Sequence, residues 1–366
     1  MKTKKPRFKT IPIIDETERE KNVSKNEYSV ISYGADFDVN GLVERLRKGS
    51  IIIPKFQRNY IWNLNEASRF IESLLLGLPV PSVFLAKEQN SNKLLVIDGQ
   101  QRLRSLQFFY DGHFKPKEDQ KSKRSFRLEG VVKRFEDITY DKLNDFDKRQ
   151  LDDSLIHAII IRQTTNKNYD PSTHEVFRRL NTGGRKLTPQ EIRVAINHDS
   201  AYIKFLNELN NNTNWRAIFG KPSDRLKDQE LLLRFFAMFF NYKNYFKPMN
   251  EFLNSFLSDN ANITEQEIKE HKKMFETTID IIRKNIGTKA FKLKKGIVAA
   301  IFDAVMVGIA TRVKKGKMMK PRRINIEYKN LLKDREFKFA INQHTSDEDR
   351  VAKRIEKAIE FISHVQ

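Results

Sequence analysis

The sequence predicts an α+β fold: a small mixed sheet with a few helices in residues 28–168, followed by an all-helical part over 169–366. Three observations carry this expectation. From 28 to about 163, short β-branched apolar runs alternate with runs of helical apolar spacing. Beyond about 169 the strand signals vanish. Helix starts then recur, with Pro171 after Asp170 and capping boxes at Thr188-Pro189-Gln190-Glu191 and Thr264-Glu265-Gln266-Glu267.

Taken in order, residues 1–27 are polar and charged without a sustained period and read as a basic flexible arm. A helix is expected at 39–48 and a strand at 51–53. The next helix spans 65–76, with Ala67, Phe70, Ile71, Leu74 and Leu75 on one face. Pro79 and Pro81 break the chain before a strand at 83–86, and another strand follows at 93–97. A helix over 101–110 carries Leu103, Leu106 and Tyr110 on one stripe and stops at Gly112. Strands at 126–132 and 155–162 complete the sheet. In the helical part, a helix from Pro171 stops at Asn181-Thr182-Gly183-Gly184, where glycine permits left-handed dihedrals. A helix from about Asp228 carries Phe235, Phe236, Phe239 and Phe240, read as core packing rather than base stacking. Further helices are expected at 264–286, at the apolar run 296–310, which contains Asp303, and at 347–364, where Val351, Ile355, Ala358, Ile359 and Ile362 form one stripe.

Composition narrows the functional classes. With no Cys, the chain has no disulfide, no Cys-ligated metal and no thiol catalysis. The basic start at 1–9 is followed by no apolar stretch, so no signal peptide is expected, and the longest apolar run is too short to span a bilayer. A cytoplasmic location fits. The net charge of +21 favours a polyanionic partner, with DNA foremost. This charge is clustered: residues 283–323 hold 13 Lys or Arg against one acid, Asp303. Lys294, Lys295, Arg312, Lys314, Lys315, Lys317, Arg322 and Arg323 are the candidate nucleic-acid contacts, and a shorter basic run lies at 115–127. A solvated lysine-rich surface is the alternative.

The most informative segment is 97–102, Ile-Asp-Gly-Gln-Gln-Arg, between a strand and a helix. Such a turn presents free backbone N–H groups at a helix N-terminus, where the helix dipole favours an anion. Arg102 adds a bidentate fork one turn in. In this reading the N–H groups of Gly99, Gln100 and Gln101 hold phosphate with Arg102. Arg58 stabilises developing charge, and Asp98 orients water or joins a Mg²⁺. Gln57, Gln100 and Gln101 position water or read a base, and Tyr60 and Trp62 stack on a base or pack in the core. The alternative is an ordinary turn capped by Asp98. No Walker-A loop, Gly-x-Ser-x-Gly or His-Glu-x-x-His occurs.

Three segments together are specific. Phe56-Gln57-Arg58 with Tyr60 and Trp62, Asp98-Gly99-Gln100-Gln101-Arg102, and Phe177 through Asn181-Thr182-Gly183-Gly184 with Leu187 and Glu191 resemble the GmrSD restriction endonuclease N-terminal domain family, a branch of the ParB/sulfiredoxin-like superfamily. The resemblance implies a ParB/sulfiredoxin-like domain over 28–168 and a site that binds or hydrolyses an NTP in bacterial anti-phage defence. It also brings Arg178 or Arg179 and Asn181 towards the pocket; as a helix C-cap, Asn181 is structural instead. Better-known members carry an HNH-type nuclease, fused or as a partner. The seven His here form no pair at metal-binding spacing, so a separately encoded nuclease or effector is expected. Lone histidines such as His113 and His174 read as surface or satisfied residues. Two rivals stay open: a ParB-like nuclease that nicks DNA through the same site, and a non-catalytic subunit that binds DNA or a partner. Homo-oligomerisation is also open.

Overall fold

The computed structural model describes residues 13–14, 30–54, 60–88, 91–114, 124–163, 171–180, 187–197, 199–293, 296–316 and 320–363. The chain divides into two compact units, one of residues 27–196 and one of residues 197–366 with the N-terminal segment. Strand β1 (Ile13–Ile14) belongs to the second.

The first unit is built on β2 (Val30–Asp38), β3 (Ile51–Ile52), β4 (Val83–Lys87), β5 (Leu94–Asp98), the short pair β6 (His113–Phe114) and β7 (Arg124–Ser125), and β8 (Leu155–Gln163). Its main sheet runs β2-β8-β4-β5-β3. The β2–β8 and β4–β5 pairs are antiparallel, whereas β8–β4 and β5–β3 are parallel. The sheet is therefore mixed and the fold is α+β, as predicted.

The period of two along each strand sorts its side chains between two cores. Val83, Leu85, Leu94, Val96, Ile156, Ala158 and Ile160 pack under α1 (Val39–Arg47), α2 (Leu64–Leu75), α3 (Gln100–Tyr110) and α4 (Asp145–Asp152). Leu95, Ile97 and Ile161 face the other way, against α5 (Pro171–Leu180) and α6 (Pro189–Ile196), which contribute Val176, Ile192 and Ala195. Because α5 and α6 cover that face, they group with the sheet, and the boundary falls after Ile196 rather than near 169.

Local chemistry starts these helices. Asp38 accepts from Gly41 N at 2.5 Å, Asn63 and Glu66 form a capping box on α2, Asn144 accepts from Asp147 N at 2.8 Å, and Thr188 and Glu191 bond reciprocally at 3.2 and 2.6 Å.

Some expectations are corrected. Strand β2 carries no strand signal in the sequence because Ser32, Gly34 and Asp36 interrupt it; as an edge strand it leaves Ile31 and Tyr33 exposed. Segment 126–132 is not a strand. Phe126 and Leu128 are buried as a strand would have them, but the Glu129 N–H donates to Ser68 Oγ at 3.0 Å and that of Val132 to Glu72 at 2.6 Å, so side chains of α2 take the ladder's bonds.

The second unit is mostly helical: α7 (Ala201–Leu209), α8 (Thr213–Phe219), α9 (Lys227–Asn241), α10 (Met249–Asp259), α11 (Glu265–Asn285), α12 (Ala299–Lys314), α13 (Pro321–Leu331), α14 (Arg335–Asn342) and α15 (Glu348–Ser363). It is not all-helical. Strands β9 (Lys292–Leu293) and β10 (Gly296–Val298) form a small sheet in which β1 pairs parallel with β10. The apolar run thus begins as a strand, and part of the N-terminal arm is ordered against it. Helix α12 is buried nearly all round, which places Asp303 in the core. There Arg234 of α9 grips its carboxylate through Nε and Nη2, both at 2.7 Å, and Arg354 of α15 donates at 2.9 Å. Among the described residues no helix is long and apolar enough to cross a membrane.

Candidate functional site

The turn after β5 has the geometry that its residue types allow. Gly99 sits at φ +100°, the left-handed region that favours glycine, and is the N-cap of α3. A Cβ there would stand 2.6 Å from Val83 Cγ1, so only glycine fits. The Leu103 N–H donates to the Gly99 carbonyl at 3.0 Å as the first bond of the helix. Its N-cap glycine has no side chain to cap α3, in contrast to the capping residues of α1, α2 and α4 of the same unit. Asp98 ends β5 and does not cap the helix. The helix therefore opens on backbone groups at the C-terminal end of β5.

Arg102 is held beside them. Its Nη2 donates to the Ser82 carbonyl at 3.0 Å and to Asp98 Oδ2 at 3.2 Å, while its Nε is buried and finds no partner among the described residues. The side chain is 15% exposed and that of Asp98 33%, so the ion pair is half-sheltered yet open to a ligand. No group of three His, Asp or Glu able to hold a metal occurs among the described residues. The one carboxylate at the turn, Asp98, suits a Mg²⁺ that arrives with phosphates and keeps its waters.

Other expected residues have different work. Gln101 Oε1 accepts from the N–H groups of Ile61 and Trp62 at 3.0 and 3.3 Å, tying the end of the 53–62 segment to α3. Gln101 is thus engaged in positioning and does not stand free for catalysis. Gln100 is buried. Tyr60 is also buried, edge-on to Phe108 and Phe114, with its hydroxyl 2.7 Å from Ser105 Oγ. Burial pushes its phenol well above the usual range. Tyr60 is a core residue and cannot stack on a base; Trp62 likewise packs beside Phe70.

Arg178 and Arg179 lie on α5, where Glu175 accepts from Arg178 Nε at 2.7 Å and from Arg179 Nε at 2.6 Å. These guanidinium groups hold the Glu175 carboxyl below its ordinary value. His174 is pushed down to about 3 by burial and by the charge of Arg193, so it is neutral at pH 7. Gln57, Arg58, Asn181, Lys294, Lys295 and Lys317 lie outside the described residues.

In the second unit, Arg312 is buried in α12 and cannot reach a phosphate, which removes it from the expected interface. Lys314, Lys315, Arg322 and Arg323 are exposed, Lys314 Nζ lying 5.7 Å from the centre of the Phe239 ring. The basic surface extends beyond the run at 283–323. Arg322, Ile326 and Lys329 recur at helical spacing on the exposed side of α13, exposed Lys333 lies in the turn after it, and Arg335 and Lys338 follow on α14. That spacing is the signal in the sequence, and it lies beyond the densest part of the charge run.

Residues 39–198 match the family described as GmrSD restriction endonuclease, N-terminal domain. A stretch of 88 residues is 32% identical to an uncharacterized protein of Methanocaldococcus jannaschii, covering 18% of this chain and 15% of that relative. The chain thus spans only a small part of that relative's length.

Proposed function

We propose that the protein binds and hydrolyses a nucleoside triphosphate at the Asp98–Arg102 turn and acts with DNA in restriction of foreign DNA, through a separately encoded nuclease or effector. The N-terminus of α3, which starts on Gly99 beside Arg102, carries this reading. Gly99 sets the turn that starts the helix, and Arg102 lies alongside, held by the Ser82 carbonyl and Asp98. The triphosphate would lie at the N-terminus of α3, with the Arg102 guanidinium countering charge that builds up in phosphoryl transfer. Asp98 holds Arg102 in place and is the carboxylate available to a Mg²⁺ bound by the phosphates. The family match supports the link to restriction. The exposed cations of α12 to α14 support DNA as the polyanion.

Phosphate release from each of the four NTPs, with and without DNA and Mg²⁺, tests this. The wild type is expected to hydrolyse at least one NTP, and Asp98→Ala and Arg102→Ala to lose hydrolysis while keeping the circular dichroism of the wild type. Hydrolysis by either variant at the wild-type rate would contradict the placement of the site. No hydrolysis by the wild type under any of these conditions would favour the non-catalytic subunit.

A further inference from the structure

Strand β2 forms one edge of the main sheet: β8 pairs with one side of it, and among the described residues no strand pairs with the other. The period of two decides which backbone groups that edge presents. The Val39 N–H donates to the Ser154 carbonyl at 3.0 Å, which continues the ladder past the pair of Asp38 and Leu155. Asp38 is thereby a residue whose own N–H and C=O point away from β8. Counting back in twos, Ser32, Gly34 and Asp36 likewise turn their N–H and C=O groups outward, while Ile31, Tyr33, Ala35 and Phe37 direct theirs at β8.

Edges of this kind are ordinarily blunted by Lys, by Pro or by a bulge. Strand β2, Val-Ile-Ser-Tyr-Gly-Ala-Asp-Phe-Asp, contains no Lys, Arg or Pro, and its register with β8 is unbroken. Its two acids are engaged within their own unit, Asp36 with His157 Nδ1 at 2.7 Å and Asp38 as the cap of α1. Ile31, Tyr33, Ala35 and Phe37 share the face that carries α1 to α4. Ala35 and Phe37 pack against the core there, whereas Ile31 and Tyr33 run past it and are 56% and 43% exposed. This strand lacks the features that keep an edge unpaired.

We propose that β2 pairs antiparallel with β2 of a second copy of this chain about a two-fold axis at Gly34, joining the two five-stranded sheets into one continuous sheet. A strand paired with itself about such an axis is antiparallel, and because residue 34 is the midpoint of Val30–Asp38 every residue of β2 is matched. The outward groups of Ser32, Gly34 and Asp36 meet those of Asp36, Gly34 and Ser32 of the second copy, so each N–H finds a carbonyl. Ile31 comes opposite Phe37 and Tyr33 opposite Ala35. Each exposed apolar side chain is thereby laid beside a partly buried one, and the core under α1 to α4 continues across the axis. No like charges are opposed: Asp36 faces Ser32, Asp38 faces Val30, and glycine faces glycine at the axis. A second copy is favoured over an unrelated strand because β2 itself supplies all of these complementary pairs.

Sedimentation equilibrium of the full chain over a range of concentrations tests this, for the wild type, Ser32→Pro and Tyr33→Lys. The wild type is expected to dimerise. Ser32→Pro removes an outward N–H and no bond to β8, so it is expected to melt with the wild type and to weaken association at least about tenfold. Tyr33→Lys leaves the backbone intact, puts a charge on the edge and is expected to weaken association likewise. Because each copy carries a net charge of +21, association is expected to tighten as salt screens the repulsion. The register is read by oxidising the double variant Tyr33→Cys/Ala35→Cys. The chain has no other Cys, and these positions form a closely spaced pair across the axis, so a covalent dimer is expected. A monomeric wild type at every concentration, association of unchanged strength in a folded Ser32→Pro or in Tyr33→Lys, or no cross-link in the oxidised double variant would overturn the proposal.

Discussion

A Cβ on Gly99 would stand 2.6 Å from Val83 Cγ1, so the turn from β5 into α3 closes onto β4 only because residue 99 has no side chain. The strain of φ +100° in any other residue adds to that overlap. Gly99→Ala is therefore expected to destabilise the protein by about 1–3 kcal/mol, read as a lower urea midpoint. At concentrations of urea where the variant is still folded, NTP hydrolysis is expected to be lost, because the N–H groups of α3 shift with the turn. A variant with unchanged midpoint and full hydrolysis would show that neither constraint operates.

Tyr60 separates packing from ligand stacking. Removing its hydroxyl in Tyr60→Phe breaks the bond with Ser105 but leaves the ring against Phe108 and Phe114. Ser105 Oγ keeps its bond to the Gln101 carbonyl at 2.7 Å. The expected loss is about 0.5–1.5 kcal/mol of stability with NTP affinity unchanged. A tenfold fall in affinity at unchanged stability would return Tyr60 to the binding site.

In the helical unit, Asp303 joins α12 to Arg234 on α9 and Arg354 on α15, all three side chains being buried. Asp303→Asn leaves two guanidinium groups facing a neutral amide in the core. Denaturant unfolding is expected to show a loss of about 3–5 kcal/mol. A loss under about 1 kcal/mol would mean that the core reorganises around the arginines.

His174 gives the first unit a dependence on pH. Burial and Arg193 hold its folded pKa at about 3, below its ordinary value of 6.5. The unfolded chain therefore binds the extra proton between these values, so the contribution is complete above pH 6.5 and is lost as pH falls towards 3. The melting temperature is expected to fall with acidification through this window, and His174→Gln to flatten the fall. An identical pH profile in the variant would contradict the assignment.

For the basic surface, replacing Lys314, Lys315 and Lys317 with Glu is expected to weaken DNA binding about equally across sequences. Since these side chains would meet phosphates rather than bases, the salt slope is expected to drop by roughly 0.9 log units for each phosphate no longer neutralised. Arg312→Ala is expected to lower stability instead, because that side chain is buried. Binding insensitive to salt and to the triple substitution would leave these lysines as solvated surface.

How much of this is legible in the sequence depends on how local each cause is. Capping boxes at Thr188 and Thr264 act within three residues, and both form. The turn at Asp98-Gly99 is equally local, and so is the helix it opens. From sequence Gln101 reads as a water-positioning residue, because its bonds to Ile61 and Trp62 depend on a meeting of segments some 40 residues apart. The pairing of Asp36 with His157 is invisible in the sequence because β2 itself carries no strand signal. Segment 126–132 shows the converse: its alternation of buried Phe126 and Leu128 is real, but Ser68 and Glu72 capture the backbone that a neighbouring strand would need. Arg312 belongs to the charge run in sequence and to the core in space, a difference set by which side of α12 it occupies.

The measurement that bears most directly on the central claim is a calorimetric titration of the wild type and Arg102→Ala with each NTP in the presence of Mg²⁺. Saturable binding of at least one NTP to the wild type is expected, weakened tenfold or more in Arg102→Ala while the variant melts as a folded protein. Equal affinity in the two proteins, or no binding of any NTP to the wild type, would contradict a phosphate site at the Asp98–Arg102 turn.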